Sequence, residues 1–180
     1  MNSPFMTYFH RQLGNRGLLS VKFDFEYMET RRRFPDSQPK LQARYRSVVE
    51  QVVVQHRPQR LVIGGKSMGG RVASYIASDL PQVRGLVFLG YPLHPPGKPD
   101  QLRDQHLYEL KIPMLFVSGT KDTFAERELL QRVVNKIGDK ATLVWIEGGD
   151  HSFKRFRGDT ETLPMAVDAI VNWLNLIPLT

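Results

Sequence analysis

Gly65, Ser67 and Gly69 spell G-x-S-x-G within the run Arg-Leu-Val-Ile-Gly-Gly-Lys-Ser-Met-Gly-Gly-Arg, residues 60–71. A serine framed in this way sits on a sharp strand-to-helix turn with its hydroxyl exposed, where it can attack an acyl carbon. Gly65 and Gly69 are expected to relieve crowding on both flanks of the bend, since glycine tolerates close backbone approach. A serine hydroxyl is a weak nucleophile until an imidazole accepts its proton, and the imidazole needs a carboxylate on its other nitrogen. Both partners follow in the chain: Asp122 ends Ser-Gly-Thr-Lys-Asp, and His151 ends Glu-Gly-Gly-Asp-His. The expected roles are Ser67 as nucleophile, His151 as general base and then acid, and Asp122 as orienting carboxylate. Each has a plainer reading, a helix cap for Ser67 or Asp122 and an idle loop residue for His151. Asp150 is a rival acid, but the immediate neighbour of His151 is badly placed to reach across the ring. Gly65-Lys66-Ser67 also ends like a phosphate loop, yet the first glycine of that pattern would fall at Arg60, which removes the cradle.

The elements that must position these residues can be read from periodicity. Leu61–Ile63, Leu86–Leu89, Met114–Val117 and Leu143–Ile146 are short apolar runs of buried-strand type. Helical spacing predicts helices after Ser67 to about Leu80, over Leu129–Ile137 and over Leu163–Leu176. This alternation implies an α/β fold: a mostly parallel sheet, joined by right-handed crossovers and covered by helices on both faces. In such sheets the functional crevice lies beyond the carboxyl ends of the strands, and Ser67, Asp122 and His151 each follow a predicted strand.

Upstream, Phe5, Phe9 and Leu13 predict a helix over residues 3–13, with Ser3 as N-cap, Pro4 in its first turn and Gly14 past its end. Leu19–Phe25 alternates apolar and polar residues and predicts a half-exposed edge strand. Residues 26–40 read as a polar loop, followed by a helix whose apolar face carries Leu41, Tyr45, Val48, Val49, Val52 and Val53 and which Pro58 closes. Tyr91–Lys111 is proline-rich and reads as an ordered loop with a short helix after Asp100. Tyr91 and His94 could line a pocket there, although loop packing is the simpler role.

With 180 residues and 41% hydrophobic content, the expectation is one domain spanning residues 1–180. The absence of cysteine excludes disulfides, thiolate metal sites and a cysteine nucleophile, and neither metal nor organic cofactor is expected. No leader and no membrane-length apolar stretch is visible, so the expected location is the cytoplasm. The net charge of +7 is scattered. Its dense groups, Arg31-Arg32-Arg33 and Lys154 with Arg155 and Arg157, read as solvated faces rather than a nucleic-acid site.

Four stretches together carry a family resemblance: Gly-Gly-Lys-Ser-Met-Gly-Gly-Arg, the Gly90–Pro99 stretch Gly-Tyr-Pro-Leu-His-Pro-Pro-Gly-Lys-Pro, Ser-Gly-Thr-Lys-Asp, and Gly149-Asp150-His151-Ser152-Phe153. Nearly the whole chain resembles the small α/β hydrolases related to dienelactone hydrolase. Within them it is most similar to the branch that includes the hydrolase-like domain of a subunit of the NSL histone acetyltransferase complex. The resemblance implies an α/β-hydrolase fold, a Ser67, Asp122, His151 triad and the Met68 backbone N–H as one oxyanion donor. The branch usually begins with an apolar strand and a His-Gly-Ala-Gly-like loop ahead of a helix resembling Ser3-Pro4-Phe5-Met6. That front end is missing here, which implies an N-terminally shortened fold, a start internal to a longer reading frame and loss of a second oxyanion donor. The consequence expected for the sheet is either direct pairing of the Leu19 and Leu61 strands or a gap filled by another chain.

The leading expectation is a serine hydrolase acting on a small-molecule acyl substrate, an ester, thioester or lactone. The alternative is a non-catalytic or weakly active hydrolase-fold interaction module.

Overall fold

The computed structural model describes residues 3–177. Its backbone divides into two compact units, Met1–Gln59 and Arg60–Thr180.

The first unit holds three helices. Helix α1, Pro4–Asn15, starts where Ser3 caps it by accepting the Met6 N–H and where Pro4 occupies the first turn, a position that needs no N–H donor. It runs through Gly14 to Asn15, two residues beyond the predicted stop, and buries Phe9. The predicted strand at Leu19–Phe25 does not form: residues 18–25 carry no ladder. An alternating pattern requires only that one side be covered, and here a helix covers it. The Phe23 and Phe25 rings lie 4.9 and 6.3 Å from the ring of Tyr45 in α3, Gln38–His56, while Leu19 and Val21 remain exposed. The predicted polar loop likewise contains a short helix, α2, Glu26–Glu29. Pro39 lies inside the first turn of α3 rather than before it, again because that turn tolerates proline. Arg32 pairs with Asp36 at 2.8 Å and Lys40 with Glu26 at 2.8 Å, so part of the basic run is internally neutralised. Helix α3 buries Leu41, Tyr45 and Val49 and ends at Arg57, whose φ of 43° turns the chain left-handed just before Pro58.

The second unit is a four-stranded parallel sheet in the order β1, Leu61–Lys66; β2, Val83–Leu89; β3, Met114–Gly119; β4, Ala141–Ile146. The central strands β2 and β3 are almost wholly buried, as expected of parallel strands covered on both faces. Helix α4, Met68–Ile76, packs on β1 and β2; α5, Arg127–Ile137, packs on β4; and α6, Thr162–Leu176, packs on β3 and β4. Side chains alternate along a strand, so two β2 residues tell the faces apart. A Cβ on Gly85 would meet the Trp173 ring of α6 at 2.8 Å, whereas the Phe88 ring lies 3.1 Å from the Cβ position of Gly70 in α4. Residues 85 and 88 point to opposite sides, and α4 and α6 therefore cover opposite faces. The core of the α4 side is aromatic, with the Phe88 ring tilted against Phe116 at 4.7 Å between centroids and edge-on to Tyr91 at 5.0 Å. Among the described residues no helix is long and apolar enough to cross a membrane.

The proline-rich segment after β2 is anchored from inside. Tyr91 is 1% exposed and its hydroxyl donates to the Arg103 carbonyl at 2.8 Å. His94 is also 1% exposed, with Nδ1 against the Pro95 carbonyl at 2.8 Å. Both are loop anchors, not pocket walls. The short helix after Asp100 is a 3-10 turn, Gln105–Glu109, whose His106 stacks on Tyr75 at 4.0 Å and meets Ser74 Oγ at 2.8 Å. Burial pushes the His106 imidazole down to about 4, so it serves as a neutral packing group.

Candidate active site

Parallel register brings the three loops to one edge of the sheet. Lys66 pairs with Leu89, Leu89 with Val117, and Gly119 with Ile146, so the carboxyl ends of all four strands finish together. Ser67 follows β1, Asp122 follows β3 and His151 follows β4, the positions at which an open parallel sheet leaves a crevice.

Ser67 has φ 51° and ψ −119°, a backbone conformation that a non-glycine residue adopts only when its surroundings enforce it, at a cost of about 1–3 kcal/mol. The enforcement is visible: its N–H donates to the Leu89 carbonyl at 3.0 Å and its carbonyl accepts from Arg71 N–H at 3.2 Å, the first turn of α4. Ser67 Oγ lies 2.9 Å from His151 Nε2, and His151 Nδ1 lies 2.8 Å from Asp122 Oδ2. The other Asp122 oxygen accepts the Phe124 N–H at 2.8 Å, which fixes the carboxylate plane. A carboxylate only accepts, so the ring proton belongs on Nδ1 and leaves an Nε2 lone pair facing the serine. The Asp122 side chain is 0% exposed and that of His151 is 21% exposed. The carboxylate is dry and the imidazole is reachable. Asp150 is occupied elsewhere, accepting the N–H groups of Ser152 at 2.7 Å and Lys154 at 2.9 Å. Met68 is the first residue of α4, where a helix leaves its N–H without a partner of its own.

The glycine expectation needs correcting at one position. A Cβ on Gly65 would meet the Gly69 carbonyl carbon at 3.0 Å, but a Cβ on Gly69 would meet nothing within 4 Å. The second tight position is Gly70, whose Cβ would lie 2.8 Å from the Gly65 carbonyl oxygen and 3.1 Å from the Phe88 ring. The helix leaves the bend with residue 70, not residue 69, facing back onto β1. Gly70→Ala is expected to destabilise the fold by about 1–3 kcal/mol through overpacking, whereas Gly69→Ala is expected to be neutral or up to about 1 kcal/mol stabilising. Urea midpoints of the two variants check this.

Three further residues escaped the sequence reading. Gly90, at φ +65°, stands where a Cβ would lie 3.0 Å from the His151 carbonyl oxygen and 3.3 Å from its ring. A Cβ on Gly119 would collide with the carbonyl oxygens of Gly149 and Asp150. Each glycine directly follows or closes an apolar strand run, which is the sequence signal for such a close passage. The third is Lys66, whose Nζ donates to the His151 carbonyl at 2.5 Å. Burial pushes its ammonium down to about 8, against the opposing pull of Asp122 and Asp150. Among the described residues no group of three or more His, Asp or Glu is arranged to hold a metal ion.

The family model for an alpha/beta hydrolase domain matches residues 1–175. The chain belongs to the alpha/beta hydrolase family. Solved structures of similar fold include an α/β serine hydrolase without lid from Xanthomonas campestris, at 21% identity and TM-score 0.77, covering 100% of this chain and 77% of that one. A putative alpha/beta hydrolase from Agrobacterium tumefaciens aligns at 18% identity and TM-score 0.78, covering 99% and 81%. An alpha-beta serine hydrolase homologue from Coxiella burnetii aligns at 20% identity and TM-score 0.75, covering 96% and 77%. At these identities the likeness is one of fold.

Proposed function

We propose that this alpha/beta hydrolase is a serine hydrolase that cleaves a small ester, thioester or lactone through an acyl-serine intermediate. The observation that carries the reading is the unbroken hydrogen-bonded chain from buried Asp122 through His151 to Ser67, ending on a strained elbow. In the proposed cycle His151 Nε2 takes the Ser67 proton as Oγ bonds to the substrate carbonyl carbon, and the carbonyl electrons move onto oxygen. The Met68 N–H donates to that oxyanion. The tetrahedral species collapses, the bond to the leaving alkoxide or thiolate breaks, and the imidazolium returns the proton to it. Water then adds to the acyl-serine, giving its proton to His151, and the acid departs with Ser67 restored. Asp122 holds the Nδ1 proton throughout and stabilises the imidazolium.

Intact-mass analysis after incubation with a fluorophosphonate probe tests the reading. One adduct on the parent and none on Ser67→Ala is the expected result. A folded parent without adduct would reject the active-enzyme reading and leave a hydrolase-fold interaction module.

A further inference from the structure

Lys66 is the residue of the G-x-S-x-G run to which the proposed cycle assigns no work, and it reaches the site from one residue before the nucleophile. Two separate observations converge on the His151 carbonyl. Lys66 Nζ donates to it from the end of β1, and Gly90, at the end of β2, leaves the space that lets it approach. Resting on the serine-hydrolase reading above, we propose that Lys66 is a positioning residue: its ammonium ties the loop after β4 to the strand carrying Ser67 and so sets the Ser67–His151 approach.

His151 is flanked by a turn in which Asp150 N–H donates to the Lys154 carbonyl and Phe153 N–H to the Asp150 carbonyl. That turn is internally closed, and contacts from other elements must set its position over the sheet. Asp122 holds the ring, Gly119 admits the backbone of 149–150, and Lys66 holds the carbonyl. A misplacement near 1 Å can cost about 10²-fold in rate, so a tether one residue from the nucleophile has a large effect for one hydrogen bond.

The groups facing the ammonium include Asp122 from the loop after β3, and Asp150 and the His151 carbonyl from the loop after β4. Because burial lowers the ammonium to about 8, raising the pH through that value converts a charge-assisted donor into a neutral amine, a bond roughly half as strong. An arginine at this position stays charged throughout.

The experiment measures the rate of fluorophosphonate labelling from about pH 6 to about pH 10 for the parent, Lys66→Met and Lys66→Arg. Beside it, each protein is labelled with carbonyl-13C histidine and 15N serine; His151-Ser152 is the only His-Ser peptide in the chain, so its carbonyl gives a unique signal. The expected result is a parent rate that falls above about pH 8, a Lys66→Met rate about tenfold or more lower at neutral pH with no such fall, and a Lys66→Arg rate without the fall. The His151 carbonyl shift should titrate with the parent lysine and stay flat in Lys66→Met. Parent-like labelling by Lys66→Met at every pH overturns the inference whatever the carbonyl does. If Lys66→Met does not fold, Lys66→Arg and the parent titration decide: an alkaline fall kept in the arginine variant overturns it. An unlabelled parent rejects the hydrolase reading instead, and the tether is then judged by the carbonyl, where a flat parent signal sinks it and a titrating one supports it.

Discussion

His151→Ala is expected to lower kcat on a small ester by about 10⁵ to 10⁶-fold while leaving the fold intact. The size follows from what is lost. In the proposed cycle Ser67 gives its proton to the imidazole nitrogen that lies 2.9 Å from its Oγ, and without that imidazole the hydroxyl must ionise unaided. The fold should survive because the backbone carbonyl that Lys66 holds remains in alanine, and the ring contact with Phe124, at 4.6 Å between centroids, is a modest loss. Burst kinetics with a chromogenic ester, together with a thermal melt, check both halves. A variant within tenfold of the parent would mean that Ser67 is not activated by this histidine.

Asp122→Asn is expected to cost about 10⁴-fold in kcat, almost without a change in volume. The amide keeps one oxygen, and the Phe124 N–H, donating at 2.8 Å, claims it. The NH₂ then faces His151 Nδ1 as a donor, which forces the ring into the opposite tautomer and places a proton on Nε2. The imidazole would donate to Ser67 rather than accept from it. The site would be intact in shape and wrong in proton placement. Asp122→Ala makes the comparison informative: it removes the carboxylate without imposing a tautomer, and is expected to retain more activity than the asparagine variant at high pH. Equal losses in the two would point to charge stabilisation rather than tautomer control.

The four strands were readable because burial on two faces demands continuous apolar runs, and β3 and the core of β2 came out where those runs lie. Local periodicity says which side of a segment is apolar, but not what covers it. That is why Leu19–Phe25 reads as a strand yet packs its phenylalanines on Tyr45 of a helix. The same limit applies at the elbow. The motif names Gly69, while the tight approach belongs to Gly70, because the contact depends on how α4 leaves the turn and on where Phe88 of a neighbouring strand lies.

The chain alone determined the residue types at the site, their order and their placement after strands, since each depends on short-range pattern and on the rule that parallel sheets open at their carboxyl ends. Tertiary structure decided what no short window contains. Strand register set three loops at one edge, and close backbone passages at Gly90 and Gly119 let His151 settle within hydrogen-bond reach of both partners. Lys66 belongs to this second group: a lysine before a serine has no readable role until folding brings a carbonyl 85 residues away against its ammonium.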